Sequence, residues 1–104
     1  MMTLEEAAIG ILDGCIENGF HDIEKMQVLC LAEEVGEFVG AYRRWRRIAR
    51  RNGSFNDVEK ELADVIISAH VVAQVLGINI NNAIQSKLEI CFSRGWKEHE
   101  VEGS

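Results

Sequence analysis

Apolar residues recur along most of this chain at the i, i+3, i+4, i+7 spacing of a single helical face, and four such segments follow one another. The first carries Leu4, Ala7, Ala8, Ile11, Leu12, Cys15 and Ile16. It follows Thr3-Leu4-Glu5-Glu6, a capping box in which Thr3 and Glu6 satisfy each other's free amides, and Gly19 supplies a stop. The second begins near Asp22 and bears Val28, Leu31, Val35, Phe38, Val39 and Tyr42. The third starts at Ser54 or Asn56, each with an acid three residues on, and its stripe is Val58, Leu62, Val65, Ala69, Val72 and Leu76. Residues Val65 to Val75 are rich in β-branched side chains, but their length and their continuity with the preceding spacing predict helix, capped by Gly77. A fourth helix is predicted from Asn81 to Ser93, with an asparagine cap and with Ile80, Ala83, Ile84, Leu88 and Cys91 inward. The chain has no proline. Its predicted fold is all-α, a four-helix-type bundle forming one domain over residues 1–104.

Carboxylates interrupt this pattern in two places. Glu33, Glu34 and Glu37 lie within Leu31 to Phe38, and Glu61 and Asp64 lie within Glu61-Leu62-Ala63-Asp64-Val65. A charge at the border of a core is costly unless something positive meets it. At about 100° per residue, Glu34 and Glu37 fall about 80° and 140° to one side of their stripe, and Glu61 and Asp64 about 70° and 130° from theirs, in the same sense. Asn52-Gly53-Ser54 is a turn signal favouring an antiparallel pair, and antiparallel helices turn equal-sense flanks to the same side. The four acids are therefore expected on one shared edge. To keep them level, the second helix is expected to end or bend near Arg43 to Trp45, leaving the arginine-rich run largely as connection, with a helical extension past its partner as the alternative. A lone E-x-x-E on a helix is ordinarily a solvated face. Two pairs on one edge, with no lysine among them, repel one another until a divalent cation resolves the charge. All-oxygen ligands suit Mg²⁺ or Mn²⁺, and Mg²⁺ commonly shares a substrate's phosphate oxygens, so the acids predict metal-assisted chemistry on a phosphorylated molecule. Gly36, mid-helix between them, is expected to admit close packing or a ligand.

Charge and composition narrow the classes further. A net charge of −6 argues against general nucleic-acid binding, although Arg43 to Arg51 holds six arginines in nine residues. That run reads as a solvated or partner-facing surface, with gathering of an anionic substrate or an acidic patch on another subunit as its alternatives. Cys15, Cys30 and Cys91 form no C-x-x-C and are odd in number, which predicts buried thiols in a reducing cytoplasm rather than disulfides or zinc. His21, His70 and His99 lack an E-x-x-H partner, which disfavours a di-iron bundle. No apolar run is long enough to span a membrane, and the amino terminus does not read as a secretory signal. A chain this small buries only about 60–65% of its unfolded surface, so association with copies of itself is expected.

Glu33-Glu34-x-x-Glu37 followed by Glu61-x-x-Asp64 resembles the E-E-x-x-E…E-x-x-D signature of the MazG-like all-α nucleoside triphosphate pyrophosphohydrolases, and Lys87 with Arg94-Gly95-Trp96-Lys97 resembles that family's later basic and aromatic motif. The similarity spans about Leu29 to Lys97. It implies a helical dimer or tetramer that uses Mg²⁺ to hydrolyse a (deoxy)nucleoside triphosphate to the monophosphate and pyrophosphate. It implies Glu34, Glu37, Glu61 and Asp64 as metal ligands and catalytic groups, Glu33 as their neighbour on the substrate side, Lys87 and Arg94 on phosphates, and Trp96 near the nucleotide or a subunit interface. Glu34 or Glu37 would take the proton of the attacking water. The family often has an asparagine where this chain has Cys91, so no substrate contact is carried over to that position. Lys87 also reads as a snorkelling residue, and Arg94 with Trp96 as a chain-end cluster on the bundle. Rival readings are a dUTP or phosphoribosyl-nucleotide pyrophosphohydrolase and, from another class, a non-catalytic helical interaction module.

Overall fold

Local chemistry at the helix ends sets the boundaries of the elements in the computed structural model, which describes residues 1–94. Helix α1 spans Leu4–Glu17, and the Thr3–Glu6 capping box is formed in both directions. Helix α2 spans Ile23–Trp45. Its N-cap, Asp22, adopts a left-handed backbone with φ of 51° and makes no side-chain cap bond. Helix α3 spans Phe55–Leu76 behind a second capping box, Ser54 with Asp57, and Gly77 closes it with φ of 70°. Helix α4 spans Ile80–Ser93, with the Asn79 side chain accepting from the amide of Asn82. Both box acids accept backbone N–H bonds from their caps, which hold the Glu6 and Asp57 carboxyls below their ordinary values. Among the described residues there are four helices and no strand. Among the described residues no single helix is long and apolar enough to cross a membrane.

Helices α2 and α3 pack against each other, and α1 packs on α3. The pair runs antiparallel. Near one end the Gly53 amide donates to the Arg44 carbonyl at 3.1 Å, and further along Glu34 meets Glu61 and Asp64. Helix α2 ends at Trp45, as the levelling of the acids requires, and the arginine run from Arg46 on is connection. A Cβ on Gly53 would stand 2.9 Å from the Arg44 Cβ, so a glycine lets the connection close against the end of α2. Trp45 anchors that end, its ring 5.0 Å from Phe55 and 6.2 Å from Tyr42, with the Arg46 guanidinium 4.2 Å from the Trp45 centroid.

The seam between α2 and α3 corrects the predicted stripes. It follows Gln27, Glu34 and Ala41 on α2 and Glu61, Ser68 and Val75 on α3, each line repeating every seven residues and each residue buried or half-buried. Small residues such as Ala41 and Ser68 allow the close approach. The predicted stripes are only partly covered. Leu31, Phe38, Val58, Val65, Ala69 and Val72 are buried or half-buried, whereas Val28, Val35, Val39, Tyr42, Leu62 and Leu76 are exposed. Val35 retains 44% exposure and Leu62 45%. The line Val28, Val35, Tyr42 lies one residue beyond the α2 seam, and Leu62, Leu76 one residue beyond the α3 seam. One residue is about 100° in the same sense on antiparallel helices, so these apolar residues share one side of the pair.

Helix α4 departs further. The Gly77 to Asn79 turn sets it at 106° to α3, so it crosses away instead of lying alongside. Ile80 is half-buried and Cys91 buried, but Ala83, Ile84 and Leu88, predicted inward, are exposed. Gly36 also differs from expectation: nothing lies within 4 Å of a Cβ built there, so close packing does not account for it.

Candidate active site

Three acids converge where α2 and α3 face each other. One carboxylate oxygen from each of Glu34, Glu61 and Asp64 lies within 4.8 Å of the other two. Glu34 and Glu61 are half-buried because they stand in the seam, not about 70° to 80° off it, and Asp64 is exposed one turn further along α3. The Oε2 atoms of Glu34 and Glu61 are each buried without a hydrogen-bond partner. Buried acceptors left unmade are costly, so two of them on acids of one cluster favour a positive partner. The donor set is all carboxylate oxygen, which fits a hard divalent cation such as Mg²⁺ or Mn²⁺ and not a zinc or soft-metal site. Burial foremost, then the charges of Glu37, Asp64 and Glu61, pushes the Glu34 carboxyl above its ordinary value of 4.5. Glu37 is exposed one turn from Glu34, outside the three-acid group yet coupled to it electrostatically. Glu33 is exposed on the same helix.

A cavity of about 240 Å³ opens beside the acids, between α1, α2 and α3. Glu34 and Asp64 form its acidic edge, and Ile11, Gln27, Cys30, Ile67, Ser68 and Val71 form the rest. Burial, and then the charges of Glu33 and Glu34, pushes the Cys30 thiol up, which keeps this wall of the cavity neutral. Sequence reasoning centred on the acids passed over Gln27, Cys30 and Ser68. A signal for two of them was there: Gln27 stands seven residues before Glu34 and Ser68 seven after Glu61, so each shares the helical line of its acid. A larger cavity, about 610 Å³, lies at another place, where the N-termini of α1 and α4 meet the C-terminal part of α3 around His70 and Gln74. The His70 Nδ1 is 2.9 Å from the Ile66 carbonyl oxygen, consistent with a residue of the helix surface.

The predicted phosphate contacts are not gathered with the acids in this single chain. Lys87 and Arg94 are exposed on and just after α4, and neither lines the cavity beside Glu34. Trp96, Lys97 and Gly95 lie outside the described residues, so the proposed role of Trp96 lies there as well.

Among the described residues the protein is all-α, and its α2–α3 pair brings together three carboxylates that could hold a divalent cation. The family model for the MazG nucleotide pyrophosphohydrolase domain matches residues 23–94, from the start of α2 to the end of α4, and the chain belongs to that family. Comparisons with curated proteins and with solved structures give no match.

Proposed function

We propose that this chain hydrolyses a (deoxy)nucleoside triphosphate between its α and β phosphates, releasing the nucleoside monophosphate and pyrophosphate, with Mg²⁺ or Mn²⁺ as cofactor. The supporting observation is the convergence of Glu34, Glu61 and Asp64, two of which carry a buried carboxylate oxygen without a hydrogen-bond partner, in a chain of the pyrophosphohydrolase family. These three acids would hold the cation, with Glu37 completing the set from the exposed side. When bound, the cation neutralises phosphate charge and lowers the pKa of a water. The seam fixes Glu34 and Glu61 from opposite helices, so their separation is set by packing before substrate arrives. Glu34 or Glu37 would accept the proton of the attacking water.

The test is a panel of canonical and modified nucleoside triphosphates with Mg²⁺, scoring pyrophosphate against orthophosphate. Pyrophosphate is expected to account for nearly all the phosphorus released. Predominant orthophosphate would mean cleavage at another bond and would overturn the reading.

The working species is proposed to be a homodimer or homotetramer. Exposed Val28, Val35, Val39, Tyr42 and Leu62 on one side of the α2–α3 pair, with Ile84 and Leu88 on α4, leave more apolar surface in water than a lone domain ordinarily tolerates. Lys87 and Arg94, which do not line the acids' cavity in one copy, would then contact phosphates from a neighbouring copy. Wild-type protein should sediment at a multiple of 11.7 kDa, and Val39→Glu should shift it toward the monomer. A wild-type monomer at micromolar concentration would refute the assembly.

A further inference from the structure

The cavity beside Glu34 and Asp64 has a second end that the acids do not explain. Gln27 is 8% exposed and Ser68 9%, and both line the cavity with Cys30, Ile11, Ile67 and Val71. The Gln27 amide donates to the Cys15 Sγ at 3.6 Å, within the buried interior. A thiol is a weak acceptor, and a glutamine amide carries two donor hydrogens and two lone pairs, so most of the bonding capacity of Gln27 is unused by that contact. Spare donors and acceptors on a side chain that lines a cavity are available to a molecule that enters it. The surrounding wall is aliphatic or neutral thiol, and small-molecule sites share this composition of apolar lining with a few placed polar groups.

Placement matches as well as chemistry. Gln27 lies seven residues before Glu34 on α2 and Ser68 seven after Glu61 on antiparallel α3, so both sit on the same side of the acids, about 10 Å along the helices. At about 240 Å³ the cavity is below the usual range for a whole drug-sized ligand and suits one flat ring system whose phosphates lie outside, over the acids.

We propose that this pocket receives the nucleobase of the substrate, with the Gln27 amide hydrogen-bonding the edge of the base and Ser68 beside it, and that Gln27 is therefore a specificity-determining residue. The proposal rests on the nucleotide hydrolysis put forward above and adds where the base is read. Glutamine offers a donor and an acceptor side by side, the complement of the amide-like edge of a base. Loss of a hydrogen bond inside a buried site penalises the correct base more than its competitors, so discrimination should fall with it.

The experiment measures kcat/KM for nucleoside triphosphates differing only in base, in wild-type protein, Gln27→Leu and Ser68→Ala, each checked by circular dichroism for its helical fold. In Gln27→Leu the ratio between the best and worst base is expected to shrink by about tenfold or more, with a smaller change in Ser68→Ala. An unchanged ratio in folded Gln27→Leu, or a wild-type protein indifferent to the base, overturns the proposal. A second measurement separates it from the parent reading. Titration of the four nucleoside monophosphates into metal-free protein, followed by NMR, should shift the Gln27 side-chain amide resonances with at least one of them, whether or not any triphosphate is hydrolysed. Absence of that shift rejects the pocket even if hydrolysis is found, whereas the shift without hydrolysis would keep the pocket and reject the hydrolase.

Discussion

Glu61→Gln is expected to lower kcat/KM for triphosphate hydrolysis by more than about a hundredfold while leaving the helical fold in place. The magnitude follows from the position of the residue. Even groups that only support a metal ligand cost roughly 10- to 100-fold in affinity or activity when removed, and Glu61 is proposed as a ligand itself. Its Oε2 is buried without a hydrogen-bond partner, within reach of Glu34 and Asp64. Replacing that carboxylate by an amide also supplies a donor where only acceptors meet, so the metal-free variant should be at least as stable as wild type. Activity and stability thus move in opposite directions, a pattern that a simple packing defect does not produce. Steady-state kinetics with Mg²⁺ beside thermal melts without it will check both halves. Full activity in Glu61→Gln would remove the site assigned here.

Mg²⁺ is expected to raise the melting temperature, and the rise should grow with pH. A ligand at a hundred times its Kd adds about 2.7 kcal/mol. For a chain of this size that corresponds to about 10 °C or more. The pH dependence comes from Glu34, whose carboxyl is raised above 4.5 by burial first and then by Glu37, Asp64 and Glu61. A raised acid binds its proton more tightly folded than unfolded. Its contribution to the stability of the metal-free protein is therefore complete below 4.5 and is lost as pH rises through the folded value. Glu6 and Asp57 are shifted the other way by their caps, and their contributions fade only as pH falls below 4.5 and 3.8. The window above 4.5 therefore belongs to the acidic cluster. Glu34→Gln should flatten the metal-free profile in that window and abolish the Mg²⁺ response. Differential scanning fluorimetry from pH 4 to 8, with and without Mg²⁺, reads all of this. A wild-type melting temperature indifferent to Mg²⁺ at pH 8 would exclude the cation site.

Much of the architecture was legible because its signals are local. Thr3 with Glu6 and Ser54 with Asp57 form their capping boxes from neighbours three residues apart, and Gly77 takes the left-handed backbone that ends α3. That Glu34 would meet Glu61 and Asp64 also followed from rotation about two antiparallel helices, although Glu37 lies outside the group and the acids stand in the seam and not on the expected edge. Gln27 was not singled out, because one polar residue near the start of a helix is unremarkable until the neighbour that buries it is known. The outward turn of α4 was hidden for a related reason. Ile84 and Leu88 have the spacing of a buried face, and spacing does not say whether that face meets this chain or another copy.

Composition and periodicity on their own determined four helices, the capping boxes of α1 and α3 and the antiparallel approach of the acidic segments, because each depends on residues a few positions apart or on the fixed pitch of the helix. Which line of each helix became the seam depended on long-range packing. Ala41 and Ser68 let the helices approach along the lines that contain Glu34 and Glu61, and this moved the acids from an expected outer edge into the interface itself. That shift of one residue, about 100° of helix, buried two carboxylate oxygens without partners, turned the valine and leucine lines outward, and opened beside the acids a pocket floored by Gln27 and Ser68.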